Sequence, residues 1–177
     1  VVGCQARSVR DVARWYDVAT GYDSRDPYSL PRIDGWERDL GSFDLAGKRV
    51  AIAPTLGAAV VRDEVQQRVV TAAEALARDA GLVGVALDVR LPTIDVAWAL
   101  GNLAGLFEDL RGRWPGCKDQ LTPSIAFGLE FAEGVVNLDS VAKGDVSRTA
   151  ANEAMAALFD EVDFVICATN PDTAFPA

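Results

Sequence analysis

In the stretch RVAIAPTLGAAVVRDEVQQRVVTAAEALARDAGLVGVALDV, residues 49–89, the apolar pattern changes period twice. Residues 49–54 form a short apolar run closed by Pro54, which reads as a strand. Val65, Val69, Ala72, Leu76 and Ala80 then recur at the spacing of one helix face, and Gly81 closes that helix. Residues 82–89 are a second apolar run, expected as a buried strand. Strand, helix and strand in this order point to an α/β fold with a small, mostly parallel sheet.

Downstream the alternation continues. Pro92 suits the first turn of a helix in which Val96, Leu100, Leu103, Phe107, Leu110 and Trp114 form one stripe, flanked by Ile94, Trp98 and Leu106 and ended by Pro115 and Gly116. Thr122 and Pro123 are cap and first turn for SIAFGLEFAEG, Asp139 opens a long last helix through Ala151, Met155, Leu158 and Phe159, and DFVICATN (residues 163–170) is a final strand. Upstream, Ser8 is an N-cap with Asp11 three residues on, Val9, Val12, Ala13, Tyr16 and Ala19 keep helical spacing, and Gly21 supplies the stop. Residues 22–48 hold Pro27, Pro31, Gly35, Gly41 and Gly47 without a period and read as a long connection. About three strands and about five helices are expected, in one partial domain over residues 1–177. So small a sheet leaves apolar helix faces uncovered, which predicts an exposed apolar patch or self-association and an unpaired sheet edge.

Composition narrows the partners. A formal charge of −9 argues against a nucleic-acid groove or an anionic membrane surface. No apolar run reaches the roughly 20 residues of a membrane span. Cys4, Cys117 and Cys167 are too few and too far apart for a disulfide framework or a CxxC motif, which fits a reducing, cytoplasmic setting.

The chain contains no His, so Ser-His-Asp and Cys-His catalysis by its own residues is excluded and the commonest metal ligand is missing. No GxGxxG, GxxxxGK or GxSxG occurs, and neither a cofactor nor a metal site is expected. Lys48, Lys118 and Lys143 lie in polar contexts and read as solvated rather than as bases. Cys167, within the final strand, reads as a buried structural thiol. Asp23 and Asp26 flank Arg25 in the manner of turn-forming side chains, and Gly101 with Gly105 predicts close helix packing. Met155 is the sole Met. With a helix cap so near a non-Met start, it suggests a piece of a longer product.

The order of elements carries a resemblance. ARSVRDVARWYDVATGYDSRDPYSLP (residues 6–31) resembles the ARTVxDxAxxLDxxxGxDxxD segment of amidase signature enzymes. LAGKRVAIAP with VVRDEVQQRVVTAAEALARDAG is similar to that family's LxGxRxGV strand and following helix, and FDEVDFVICATNPDTAFPA to its closing FxxxDxLLTPTxPxxAFP. The resemblance covers essentially the whole chain in the right order. Two triplets depart from it: Gly3, Cys4 and Gln5 stand where Gly-Pro-Met is frequent, and Ala168, Thr169 and Asn170 stand where Thr-Pro-Thr is usual.

The resemblance implies amide hydrolysis by a serine nucleophile, a bridging second serine and a lysine base, all upstream of the ARTVxD helix in that family. This chain has no adjacent serines, so no catalytic residue is assigned to it. It is expected to be inactive alone, with a missing N-terminal catalytic half as its partner and a small amide as substrate. Because the closing segment borders the family's pocket, Thr169 and Asn170 are the substrate-binding candidates. Two alternatives stay open: a self-contained, non-catalytic α/β domain binding a small ligand or a protein, and the transamidating subunit of an amidotransferase.

Overall fold

The computed structural model describes residues 3–26 and 29–174, and the chain divides into two compact units, Val1–Ala46 and Gly47–Ala177. Pro27 of the connection and residues 175–177 of the closing motif lie outside the described residues.

The first unit is built on α1 (Val9–Ala19). Ser8 caps it, its Oγ accepting from Asp11 N at 3.2 Å and donating to Asp11 Oδ2 at 2.8 Å. The stop is made by Thr20 rather than by Gly21: Thr20 N and Oγ1 both donate to the Tyr16 carbonyl, and Gly21 follows with φ +151°. The long connection is held by polar wiring. The Asp17 carboxylate accepts from the backbone N–H groups of Gly35, Trp36 and Glu37 at 2.8, 2.8 and 2.9 Å, and the Arg14 guanidinium forks onto Glu37 at 2.8 and 2.6 Å.

The second unit holds a three-stranded parallel sheet of order β2-β1-β3, formed by β1 (Arg49–Ile52), β2 (Val83–Gly84) and β3 (Phe164–Ile166). Val50 pairs with Gly84 on one side and Phe164 on the other, and it is 0% exposed at the centre of the sheet. The second strand is shorter than expected and lies at an edge with both residues exposed. Pairing with β2 stops after Val85 N donates to Val50 O, while β1 stays paired with β3 as far as Ile52. Residues 86–89 run on outside the ladder, and Val85, Leu87 and Val89 pack on the core cluster of Ala51, Leu158 and Val162. The final strand also ends early, and Cys167 lies beyond it with its side chain exposed. The buried-thiol expectation is therefore corrected.

Helix faces are shifted from the sequence pattern. In α2 (Asp63–Asp79) the buried residues are Ala73 and Ala77, while Ala72 and Leu76 are exposed, Leu76 by 55%. The small alanines bring the helix close to the sheet and rotate the stripe by about one residue. α3 (Asp95–Asp109) starts three residues after Pro92, with Ile94 at the cap, and stops short of Trp114; Gly112, at φ +81°, turns the chain. Leu103, Leu106, Leu110 and Trp114 still pack together with Cys117 and with Leu129.

Pro123 opens α4 (Pro123–Val135) as expected. The last helix, α5 (Leu138–Glu161), is opened by Asn137 rather than Asp139, through a capping box in which Ser140 N donates to Asn137 Oδ1 and Asn137 N donates to Ser140 Oγ. Of the pair Gly101 and Gly105, Gly101 faces α5, where a methyl would lie 4.0 Å from Arg148 Nη1, but the closer approaches are at other glycines. A methyl at Gly128 of α4 would lie 3.0 Å from Leu103 Cδ2, and one at Gly144 of α5 would lie 3.7 Å from Ala97 Cβ, whereas Gly105 faces open space.

The accessible surface is 13455 Å², against about 10,000 Å² for two separate compact bodies of these sizes. Much of it is apolar: Trp98 on α3 is 67% exposed and Phe127 on α4 70%, with Phe131, Leu138 and Val146 also outside. β2 and β3 are the sheet's outer strands among the described residues.

Candidate functional site

The loops that leave the carboxyl ends of the strands build a candidate site, at the place where open parallel sheets bind ligands. After β1 the chain makes a tight turn: Leu56 N donates to Ala53 O, and Ala58 N and Ala59 N both donate to Thr55 O. Leu56 sits at φ +50° and Gly57 at φ +72°. A Cβ at Gly57 would lie 2.3 Å from Val89 O, so only glycine lets the turn rest on the chain that follows β2. Leu91 N then donates to Leu56 O at 2.9 Å. On the other side the segment after β3 clamps the same turn, with Ala168 N donating to Pro54 O, Arg62 N to Pro171 O, and Arg62 Nε 3.0 Å from Asp172 Oδ1.

Between this turn, residues 91–95 and α5 lies a cavity of ≈ 630 Å³, within the range of roughly 300–1,000 Å³ typical of small-molecule pockets. Leu56, Val60, Leu91, Ile94 and Met155 give it apolar walls; Thr55, Thr93, Asp95 and Asn152 supply the polar groups. No Lys or Arg lines it. Among the described residues no ion pair or hydrogen bond engages the Asp95 carboxylate. The first unit has a cavity of its own, ≈ 680 Å³, faced by Trp15, Tyr16 and Trp36; Tyr16 and Trp36 stack at a tilt with centroids 5.5 Å apart.

Thr169 and Asn170 are exposed on the segment that clamps the turn and do not line the cavity. The lysines are all paired with acids at the surface. Lys48 lies 3.5 Å from Asp163 Oδ1, Lys143 2.6 Å from Asp139, and Lys118 against Glu130, whose carboxylate raises the Lys118 pKa above the usual lysine value. The Asp163 carboxyl is held below its ordinary range by the Arg49 N–H it accepts and by the charge of Lys48. Asp23 forms the expected turn, accepting from Arg25 N and from the Arg25 guanidinium, which lowers its pKa; the Asp26 carbonyl accepts from Ser29. Among the described residues no three His, Cys, Asp or Glu side chains gather as a metal site, and no helix is long and apolar enough to cross a membrane.

Sequence reasoning missed the groups that line the cavity. Asp95 reads as an ordinary first-turn acid opposing the helix dipole, and Asn152 as a polar face residue. For Asp95 the signal that could have found it is its place at the start of the helix that follows β2; Asn152, in the middle of α5, carries no such signal.

The sequence model of the Amidase family matches residues 1–177. No curated protein matches. Among solved structures, a bacterial aryl acylamidase described as belonging to the amidase signature enzymes shares the fold at a TM-score of 0.73 and 21% identity, over 96% of this chain and 38% of that one. An inhibitor-bound structure, described as a vestigial protein complex that reveals the evolutionary origins of an s-triazine catabolic enzyme, matches at 0.63 and 19%, over 90% of this chain and 34% of that one. The chain thus spans little more than a third of the length of these structures.

Proposed function

The chain belongs to the amidase family, and on that premise we propose that it forms the C-terminal part of an enzyme hydrolysing the C–N bond of a small carboxamide. The observation that carries this reading is the cavity at the carboxyl ends of the strands, sized for a small molecule and set on a turn fixed from both sides. In this reading the serine nucleophile, bridging serine and lysine base come from polypeptide outside these residues. Such a triad works without histidine, since a desolvated neutral lysine takes the serine proton through the second hydroxyl while backbone amides hold the oxyanion.

What this chain contributes is positioning. Its apolar walls hold the acyl or amine portion and exclude water, and Thr169 and Asn170 border the substrate from the neighbouring segment. The exposed apolar faces of α3, α4 and α5 are covered by the catalytic half or by a second copy. Three free thiols agree with a cytoplasmic enzyme. The solved aryl acylamidase makes aryl amides the first substrates to try.

The test is amide turnover by a longer polypeptide containing this chain, beside the 177-residue chain itself. Hydrolysis by the longer form, abolished when an upstream serine is replaced, with none by the chain alone, supports the proposal. Turnover by the purified chain alone would place the active site elsewhere.

A further inference from the structure

Resting on the reading of the sheet-end cavity as part of an amide-binding pocket, we propose that this cavity selects its ligand by charge. It takes an apolar moiety that is neutral or carries an ammonium group and rejects one carrying a carboxylate, and Asp95 is the residue that sets the sign.

Three observations support this. The walls formed by Leu56, Leu91, Ile94 and Met155 suit an alkyl or aryl group, and the one formal charge lining the space is that of Asp95. That carboxylate has no partner among the described residues. The cations nearest in sequence are each taken by another acid: Arg90 Nε lies 3.1 and 3.0 Å from the two Asp88 oxygens, Arg62 pairs with Asp172, and Arg148 with Asp145. Among the described residues these three guanidinium groups engage other acids, and none of them pairs with Asp95.

The position of Asp95 sharpens the expectation. It is the first residue of α3, and the cap residue Ile94 offers no side-chain acceptor to the first-turn N–H groups. A helix N-terminus without a counter-charge attracts anions; the Asp95 carboxylate cancels that attraction. Replacing it by a neutral residue therefore removes the repulsion and unmasks the helix end in one step, so the preference swings toward the carboxylate instead of merely fading.

The test is binding, read without catalysis. The 177-residue chain is titrated with a phenylalkyl ammonium and a phenylalkyl carboxylate of equal chain length. The wild-type chain is expected to bind the ammonium at least tenfold more tightly. Asp95→Asn is expected to bring the two affinities within threefold or invert them, with circular dichroism showing an unchanged fold. Met155→Trp, which fills the cavity, is expected to weaken both ligands at least tenfold. Equal affinities in the wild type, no binding of either ligand, or a preference unmoved by Asp95→Asn would overturn the inference. Amide hydrolysis by a longer polypeptide with no such charge preference would overturn this inference alone, whereas a missing hydrolytic activity beside a confirmed preference would overturn the amidase reading alone.

Discussion

The two units of this chain are held together by different physics. In the first, α1 and the connection after it are joined by charged side chains on backbone groups: Asp17 gathers three consecutive N–H donors and Arg14 forks onto Glu37. In the second, two apolar clusters do the work, one around Ala51, Leu158 and Val162 and the other around Leu110, Cys117 and Leu129. The same difference separates the acids of the two units. In the polar unit Asp17 and Glu37 are engaged by backbone N–H groups and by Arg14, while in the apolar unit Asp95, beside a cavity, has no partner among the described residues.

The comparison breaks first at the apolar core. Leu129 is 0% exposed, and Leu129→Ala is expected to cost about 2–5 kcal/mol, read by chemical denaturation. A loss below 1 kcal/mol would show that α4 is not anchored as described. Gly57→Ala comes next, since it forces a positive-φ residue into the Val89 carbonyl. We expect about 1–3 kcal/mol of destabilisation and weaker ligand binding in the cavity, because the turn carries Leu56.

Removing the α5 cap by Asn137→Ala is a smaller perturbation, about 1 kcal/mol, visible as faster amide exchange in the first turn of that helix. The polar unit answers to acid instead. The three N–H donors, that of Glu37 foremost, lower the Asp17 pKa below its ordinary value of 3.8. A group depressed in this way contributes stability above its unfolded pKa and loses it as pH falls through the folded value. Acidification below about pH 4 should therefore deprotect the amides of Gly35, Trp36 and Glu37 while those around Leu129 stay protected, and Asp17→Asn should expose the same three amides at neutral pH. Simultaneous loss of protection in both units would erase the distinction between them.

Much of the second unit was legible because its elements obey a period. The order of strands and helices, the parallel sheet, the Pro123 start of α4 and the family resemblance all follow from runs such as RVAIAP and from the proline and glycine punctuation. Helix faces were misplaced by about one residue in α2, since an alanine-rich helix carries apolar residues on more than one side and only the sheet decides which of them it packs on. The wiring of Asp17 was invisible, because a carboxylate reaching N–H groups 18 to 20 residues away leaves no local pattern. Thr169 and Asn170 lie just after β3, on the segment whose Ala168 is bonded to Pro54, and do not line the cavity. Asp95 was hidden for the opposite reason: its ordinary role at a helix start already explains it.

The most direct measurement is a crystal structure of the longer amidase polypeptide with a neutral aryl amide bound after its upstream serine has been replaced. The account predicts that the amide's apolar group lies against Leu56, Leu91 and Met155, at the carboxyl ends of β1 and β2. An amide seated with no atom in contact with any of these three side chains would contradict it.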